Sequence, residues 1–493
     1  MSEQPLRICL LTYRGNPRSG GQGIYVRLLS RELRDLGHHV EVWSGQPYPE
    51  LFENVELVKV PSLDLWSDGF PFRIPRFREL RDSINREEWG RTMLGTFPEM
   101  LTFSNRVDRA FRRANGGLGF DIVHDNQSLG SGLLAVRERM PVVATIHHPI
   151  TRDMRIALEA TRNPYRRFTL RRWYNFLPMQ IHVARQMDRV LTISDVSTAD
   201  IVRDFGLDES RVRMVGNGIN LSVFRPIPEI ERLEDRLITT LSADVPLKGL
   251  NYLLGALHEL RRERPHLRLT VIGSPRNGSG TAEEVRRLGL DDIVEFTGRV
   301  EAEEIARRYA ASTAAVVSSL YEGFGFPAGE AMACEVPLIS TRGGALPEVV
   351  GEQGHAGVLV QPGSAEELAH GIRLVLGASA EKRASMGKAG RARVLELFTW
   401  RRAAERTVEI YRETIAERAH VNGNGRIAQS VARSVDTNGS SAVMAANGVA
   451  RVATNGAGNA ATNGHGVAAS NGSAANGNAA GREASPTEAN ADN

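Results

Sequence analysis

Cysteine is nearly absent: Cys9 and Cys334 are the only two in 493 residues. They stand far apart in apolar stretches. That excludes a disulfide framework or a cysteine zinc site and predicts reduced core thiols in a cytosolic protein. No apolar run reaches the roughly 18–20 residues that cross a bilayer, so no membrane-spanning helix is expected. The opening "MSEQPLRICLLTYRG" lacks a basic segment followed by a long apolar one. No secretory signal is therefore expected, and the sequons at Asn126, Asn277, Asn438 and Asn471 should be unglycosylated. The formal net charge of +3 is too small to argue for a nucleic-acid partner. No DxD-type metal motif occurs; "LDD" at 290–292 precedes a strand and reads as a solvated turn. From about Val421 onward there is no Phe, Trp, Tyr or Leu, and Asn-Gly, Ala and Ser repeat. Such a segment cannot bury enough apolar surface to offset its ordering entropy, so 421–493 is expected to be disordered.

The rest has an ordinary globular composition, with 41% hydrophobic and 24% charged residues. Its length suits two or three domains. Short β runs alternate with amphipathic helices: "LRICLLTY", then "RGNPRSGGQG", then "IYVRLLSRELRDLGH", then "HVEVWS". "FDIVHDN", "PVVATIHH", "DRVLTIS" and "RVRMVGNG" continue the series. This spacing predicts parallel strands with right-handed crossovers. Two prolines and a charge cluster in "NLSVFRPIPEIERLEDR" mark a linker at 221–235. The alternation then restarts with "LITTLS" and continues through "LRLTVIG", "IVEFTG", "AAVVSS", "VPLIST" and "AGVLV". The expected architecture is α/β: two doubly wound parallel-sheet domains, 1–220 and 236–397, facing a cleft. A final helix at 398–420 is expected to cross back to the first domain. Residues 64–115, aromatic, basic and proline-containing at their start, read as an irregular insertion.

The stretch "YEGFGFPAGEAMACE", residues 321–335, carries the chemistry. "AAVVSSL" reads as a buried strand, so Glu322 falls just past its carboxyl end. Gly323 and Gly325 permit close approach of a ligand. Pro327 suits the first turn of a helix, with Glu330 nearby. The free amides and positive dipole end of that helix suit a phosphate or pyrophosphate. Carboxylates bind phosphate poorly but accept well from sugar hydroxyls. A ligand with a sugar at each end of a pyrophosphate, a nucleotide-sugar, explains both acids. Either glutamate alone is explained as well by a helix dipole or a solvated loop.

The run "E-GFGFPAGE", two glutamates with seven residues between, resembles the signature of the retaining GT-B glycosyltransferases of glycosyltransferase family four. "EVPLISTRGGALPEVVG", "RVRMVGNGINLSVFRP" and "GGQGIYVRLLSRELRDLGHHVEV" extend the likeness over roughly residues 6–415. It implies two Rossmann-like domains, an acceptor side in the first and a nucleotide-sugar side in the second. It implies that Glu322 holds hydroxyls of the transferred sugar and Glu330 the ribose, while the backbone of Gly323, Phe324, Gly325 and Phe326 cradles the distal phosphate. Gly21 approaches that phosphate from the first domain, His147 lies near the reacting carbon, and Lys248 neutralises the leaving diphosphate. The family's Gly-Arg before that lysine is missing: Ser242, Ala243 and Asp244 stand there. Arg276, Arg299 and Arg342 are candidate substitutes, and Arg299 with Val300 is assigned to the donor site.

The reaction so implied moves a hexose-type sugar from a nucleoside diphosphate to an acceptor hydroxyl with retention of configuration. The leaving phosphate oxygen helps take the acceptor's proton, and no metal or other cofactor is expected. The acceptor is not legible. Residues 151–176 interleave seven arginines with aromatics, which fits a solvated helical face, an anionic acceptor, or peripheral contact with an anionic membrane on its inner face. Other readings of the same residues are a catalytically lapsed nucleotide-sugar-binding protein, an epimerase and a phosphorylase.

Overall fold

The computed structural model describes residues 4–16, 21–65, 73–114, 118–159, 161–241, 246–275, 280–352 and 354–436, with 421–436 as backbone alone. Seven strands form the first sheet: β1 (Arg7–Thr12), β2 (His39–Ser44), β3 (Glu56–Lys59), β4 (Ile122–Asn126), β5 (Val142–Ile146), β6 (Arg189–Thr192) and β7 (Val212–Met214). Their order is β3-β2-β1-β4-β5-β6-β7, and all pair in parallel. Six strands form the second: β8 (Arg236–Thr240), β9 (Arg268–Ile272), β10 (Val294–Phe296), β11 (Ala314–Val317), β12 (Leu338–Thr341) and β13 (Val358–Val360). Their order is β10-β9-β8-β11-β12-β13, again parallel throughout. Strands such as β4, β5 and β11 are buried along their whole length. That burial is why they read as continuous apolar runs rather than alternating ones.

Strand order reverses between β1 and β4 in one sheet and between β8 and β11 in the other. Crevices at the carboxyl ends of strands open at such switch points. The candidate residues follow β1, β5, β8 and β11 in the chain, so the topology delivers them to one cleft.

The segment taken as an irregular insertion is largely helical. Ser83–Met93 and Glu99–Arg113 are α-helices. Met100, Phe103, Val107 and Phe111 recur on one buried face of the second, and the last three join the core of the first domain. A nearly buried ion pair, Arg106 with Glu88, ties the two helices together. The periodicity was present in the sequence, but the proline- and aromatic-rich stretch before it obscured it.

The last helix, Trp400–Asp436, begins where the domains meet. Its apolar face packs on the helix Gly21–Asp35 through Ala403, Ala404, Val408 and Tyr411. It runs to Asp436, past the expected end of order at 420. A helix already nucleated and docked adds residues at little cost, and "RIAQSVARSV" contains good helix formers. Residues 437–493 lie outside the described residues. Cys9 and Cys334 are both buried free thiols. Among the described residues no helix is long and apolar enough to cross a membrane.

Candidate active site

A cavity of about 360 Å³ lies between the domains. Gly21 and His147 line it from one side, and Lys248, Glu322 and the run Gly323–Phe326 from the other. All eight positions were singled out in the sequence, from the residue pattern or from the family resemblance, and the two switch points bring them together.

Lys248 ends a short 3-10 turn, Pro246–Lys248, locked onto the carboxyl end of β11. Leu320 donates its N–H to the Leu247 carbonyl at 2.7 Å, and Ser318 Oγ donates to the Lys248 carbonyl at 2.9 Å. Gly249 closes the turn at φ +66°, and a Cβ there would sit 2.0 Å from the Ser318 carbonyl oxygen. Only glycine fits so tight a left-handed approach. The turn aims the ammonium inward: Lys248 Nζ donates to Glu322 Oε1 at 2.7 Å, and Ser319 Oγ donates to the same oxygen at 2.7 Å. The side chains of Lys248 and Glu322 are only 16% and 12% exposed.

Past Glu322 the chain turns through Gly325 at φ +105° into the helix Phe326–Ala333, which no side chain caps. Among the described residues the N–H groups of Gly323, Phe324 and Gly325 make no hydrogen bond. Unpaired amides at a helix start, in a cleft beside a lysine, form an anion site. Glu330, one turn further along, lies outside the cavity lining. Burial pushes its carboxyl up to about 7.

His147 follows β5. Its Nε2 lies 2.7 Å from Asn126 Oδ1, and its backbone N–H donates to Gln127 Oε1 at 2.8 Å. The Asn126 amide nitrogen is committed to Thr12 Oγ1 and the Gln22 carbonyl. The atom facing the imidazole is therefore the oxygen, so Nε2 carries the proton and Nδ1 is left an acceptor. Burial, with His148 and His124 nearby, lowers the His147 pKa to about 3 and keeps the ring neutral. Tyr25 packs edge-on against it at 4.7 Å between ring centres.

The motif is also fastened to the opposite domain. The Gly323 carbonyl accepts from Ser194 Oγ at 2.6 Å and from Ser197 Oγ at 3.1 Å. Tyr321 Oη donates to Asp200 Oδ2 at 2.8 Å, and Arg152, paired with the same carboxylate, lies 3.5 Å above the Tyr321 ring. Glu348 reaches across to accept from the N–H groups of Asp195 and Val196, at 2.8 and 3.0 Å, capping the helix Asp195–Phe205. Pattern reasoning missed these partners. Arg152 was visible only as one of many arginines, and Tyr321 only as the residue before the motif.

The candidate substitutes for the missing arginine do not converge. Arg299 is exposed and, with Val300, lies outside the cavity lining. Val300 packs against the core of the second domain. Arg342 pairs with Glu352. Arg276, and the Ser242–Asp244 stretch itself, lie outside the described residues. A cation that does line the cavity besides Lys248 is Arg152, from the first domain. No group of three or more His, Cys, Asp or Glu that could hold a metal occurs among the described residues.

Residues 19–223 match the family described as Glycosyltransferase Family 4, and residues 226–393 that described as Glycosyl transferases group 1. A protein of Mycolicibacterium hassiacum named as an MMP alpha-(1->4)-mannosyltransferase is 45% identical over 83% of this chain and 99% of its own length. A D-inositol 3-phosphate glycosyltransferase of Streptomyces bingchenggensis is 27% identical over 84% of this chain and 91% of its own. Among solved structures, sucrose-phosphate synthase from Thermosynechococcus elongatus superposes with a TM-score of 0.61 at 25% identity, covering 84% of this chain and all of that one. Anabaena HepE in complex with UDP and glucose has a TM-score of 0.59 at 18% identity, over 82% of this chain and 99% of its own, a likeness of fold alone. With two facing parallel sheets, a cleft at their switch points and a relative this similar over 99% of its own length, the chain belongs to glycosyltransferase family 4, a family of retaining GT-B glycosyltransferases.

Proposed function

We propose that the protein transfers mannose from a nucleoside diphosphate to the 4-hydroxyl of a sugar at the end of a carbohydrate chain, giving an α-(1→4) linkage. The observation that carries this is the 45% identity to a relative named for that transfer, along 99% of the relative's length.

The residues suit the chemistry. The diphosphate occupies the unpaired amides of Gly323–Gly325 at the helix start and draws Lys248 Nζ toward it. Glu322, freed from the lysine, accepts hydroxyls of the mannose. Gly21 gives the distal phosphate room from the first domain. Glu330 takes the ribose; Arg299 and Val300 flank the base side. His147, neutral and with Nδ1 free to accept, faces the reacting end of the sugar. The bond from the anomeric carbon to the leaving phosphate oxygen breaks as the acceptor oxygen bonds on the same face, and the acceptor proton passes to that phosphate oxygen. Catalysis then rests on positioning and on stabilising the diphosphate.

The test has two stages. A thermal-shift panel of nucleoside diphosphates and their hexose conjugates identifies the donor, and NMR of the product reads the linkage. A β anomer, or no transfer to any mannoside, overturns the reading.

A second reading concerns the surface. Ile74, Phe77, Tyr165 and Phe168 are exposed apolar side chains in arginine-rich stretches of the first domain, a combination that favours an anionic bilayer. Sedimentation with anionic vesicles at low salt tests it; no co-sedimentation removes it.

A further inference from the structure

A second cavity, of about 250 Å³, lies in the first domain where the helices Glu99–Arg113, Gly132–Arg139 and Leu177–Ala184 begin. Nothing in the transfer described above uses it. Phe97, Leu101, Phe176 and Met179 line it, each half-buried. The Phe97 ring stands 6.0 Å from that of Phe176 and 5.1 Å from that of Trp173, centre to centre. Ser131 and Asn175, both exposed, add a hydroxyl and an amide to the lining. Among the described residues, the charged side chain that lines it is Arg91, which is paired with Glu87 at 2.9 Å.

Its neighbours hold this cavity beside the catalytic one. Gln127, just past the carboxyl end of β4, lines the catalytic cavity, and Ser131 lines this one. Four residues of chain span at most ~14 Å, and Gln127 and Leu129, at φ +54° and +47°, bend the segment, so the separation is shorter still. Met179 lines the cavity, while the next side chain, Gln180, donates to the Gln127 and Ser128 carbonyls at 3.4 and 3.2 Å. From the other side Arg14, which follows β1, pairs with Glu99 at 2.6 Å and lies 5.4 Å from the centre of the Phe97 ring. The cavity therefore lies at the carboxyl ends of the first sheet's strands, where the cleft is.

Apolar walls with a hydroxyl and an amide, and a cation already engaged by a carboxylate, match a sugar ring. Its C–H faces pack on aromatic rings while its hydroxyls meet the polar groups. A phosphorylated acceptor would bring charge to a place with no free cation to meet it. Resting on the transferase reading above, we propose that this cavity is a distal acceptor subsite: it holds a neutral sugar of the carbohydrate chain, roughly two or three rings behind the hydroxyl that receives the hexose. The size agrees. Pockets that enclose a drug-sized ligand run to roughly 300–1,000 Å³, and this smaller one suits a single ring of a chain that continues into solvent. Short acceptors reach the catalytic cavity alone, and longer ones gain the second contact.

Ser131 is exposed and its side chain caps no amide of the helix it precedes, so Ser131→Trp fills the cavity without touching the core. Phe176→Ala is the companion variant and removes part of the aromatic wall. The experiment measures kcat/KM with a fixed donor and a ladder of α-(1→4)-mannosides from disaccharide to hexasaccharide, alongside donor KM and sedimentation with anionic vesicles. In the wild type kcat/KM should rise with acceptor length and then level off. In both variants the ratio of hexasaccharide to disaccharide should fall about tenfold, with disaccharide turnover and donor KM unchanged. A wild type indifferent to length, variants that leave the ratio unchanged, or an equal loss at every length each overturn the subsite and leave the transferase reading standing. Reduced vesicle binding with the length dependence intact gives the cavity to lipid and also overturns it. Failure of the wild type to glycosylate any mannoside defeats both readings.

Discussion

Lys248 Nζ and Glu322 Oε1 are hydrogen-bonded to each other at 2.7 Å. The two side chains neutralise one another in the unliganded cleft. On the function proposed above, the donor replaces this pair: its phosphate takes over the lysine and its hydroxyls take over the glutamate.

Lys248→Ala is therefore expected to lower kcat/KM by a hundredfold or more, about 3 kcal/mol of lost charge stabilisation. It also strands a nearly buried carboxylate, so Tm should fall by the equivalent of about 2 kcal/mol. The Lys248→Ala/Glu322→Ala double variant should recover part of that stability but none of the activity. A double-mutant cycle by thermal denaturation and steady-state kinetics measures both.

Gly249→Ala should act on the same lysine at one remove. A methyl 2.0 Å from the Ser318 carbonyl, at φ +66°, forces the turn off β11. The expected cost is about 2 kcal/mol of stability, with a loss of kcat larger than any change in acceptor KM.

Stability should pass through a maximum near neutral or slightly acid pH. His147 and His124 are held neutral, with pKa lowered to about 3 from an ordinary 6.5, mainly by burial. Their contribution is complete above about 6.5 and is lost as pH falls toward 3, because the unfolded chain binds the protons first. Glu330 runs the other way. Burial raises it to about 7 from 4.5, so its contribution is complete below 4.5 and is lost as pH rises through 7. Thermal denaturation against pH should show both flanks. Glu330→Gln should flatten the rise-and-loss between 4.5 and 7, and His147→Gln should soften the acid side.

Tyr321→Phe removes the hydroxyl that joins the donor motif to Asp200 in the other domain. The closed arrangement should become less populated, seen as a larger radius of gyration in solution scattering and a donor KM raised severalfold. Since Tyr321 also stacks under Arg152, Tyr321→Leu should exceed Tyr321→Phe in both effects.

Local pattern exposed what local pattern determines. The buried strands read as apolar runs, and the turn through Gly323 and Gly325 read as a close-approach loop, because backbone conformation and burial leave marks on neighbouring residues. Glu330 was legible as a first-turn acid, yet its place outside the cavity lining was not, since one helical turn decides which way a side chain faces. Arg152, Tyr321 with Asp200, and Glu348 at the Asp195 helix could not be read at all. Their partners lie far away in the chain, and nothing in a lone arginine or glutamate says which distant residue it meets. The helix Glu99–Arg113 was legible in principle through Met100, Phe103, Val107 and Phe111, but was hidden behind the irregular stretch before it.

The last helix has a consequence for how the molecule comes into being. Tyr411 Oη bonds His124 Nδ1 at 2.6 Å inside the first domain, Glu417 pairs with Arg189, and Arg418 with Asp188. The first half of the polypeptide therefore emerges from the ribosome lacking a wall of its own interior. It must wait, through synthesis of the whole second half, for the segment that seals it. The second half, with its six-stranded sheet complete before residue 400, is the part equipped to fold first, against the usual order of translation.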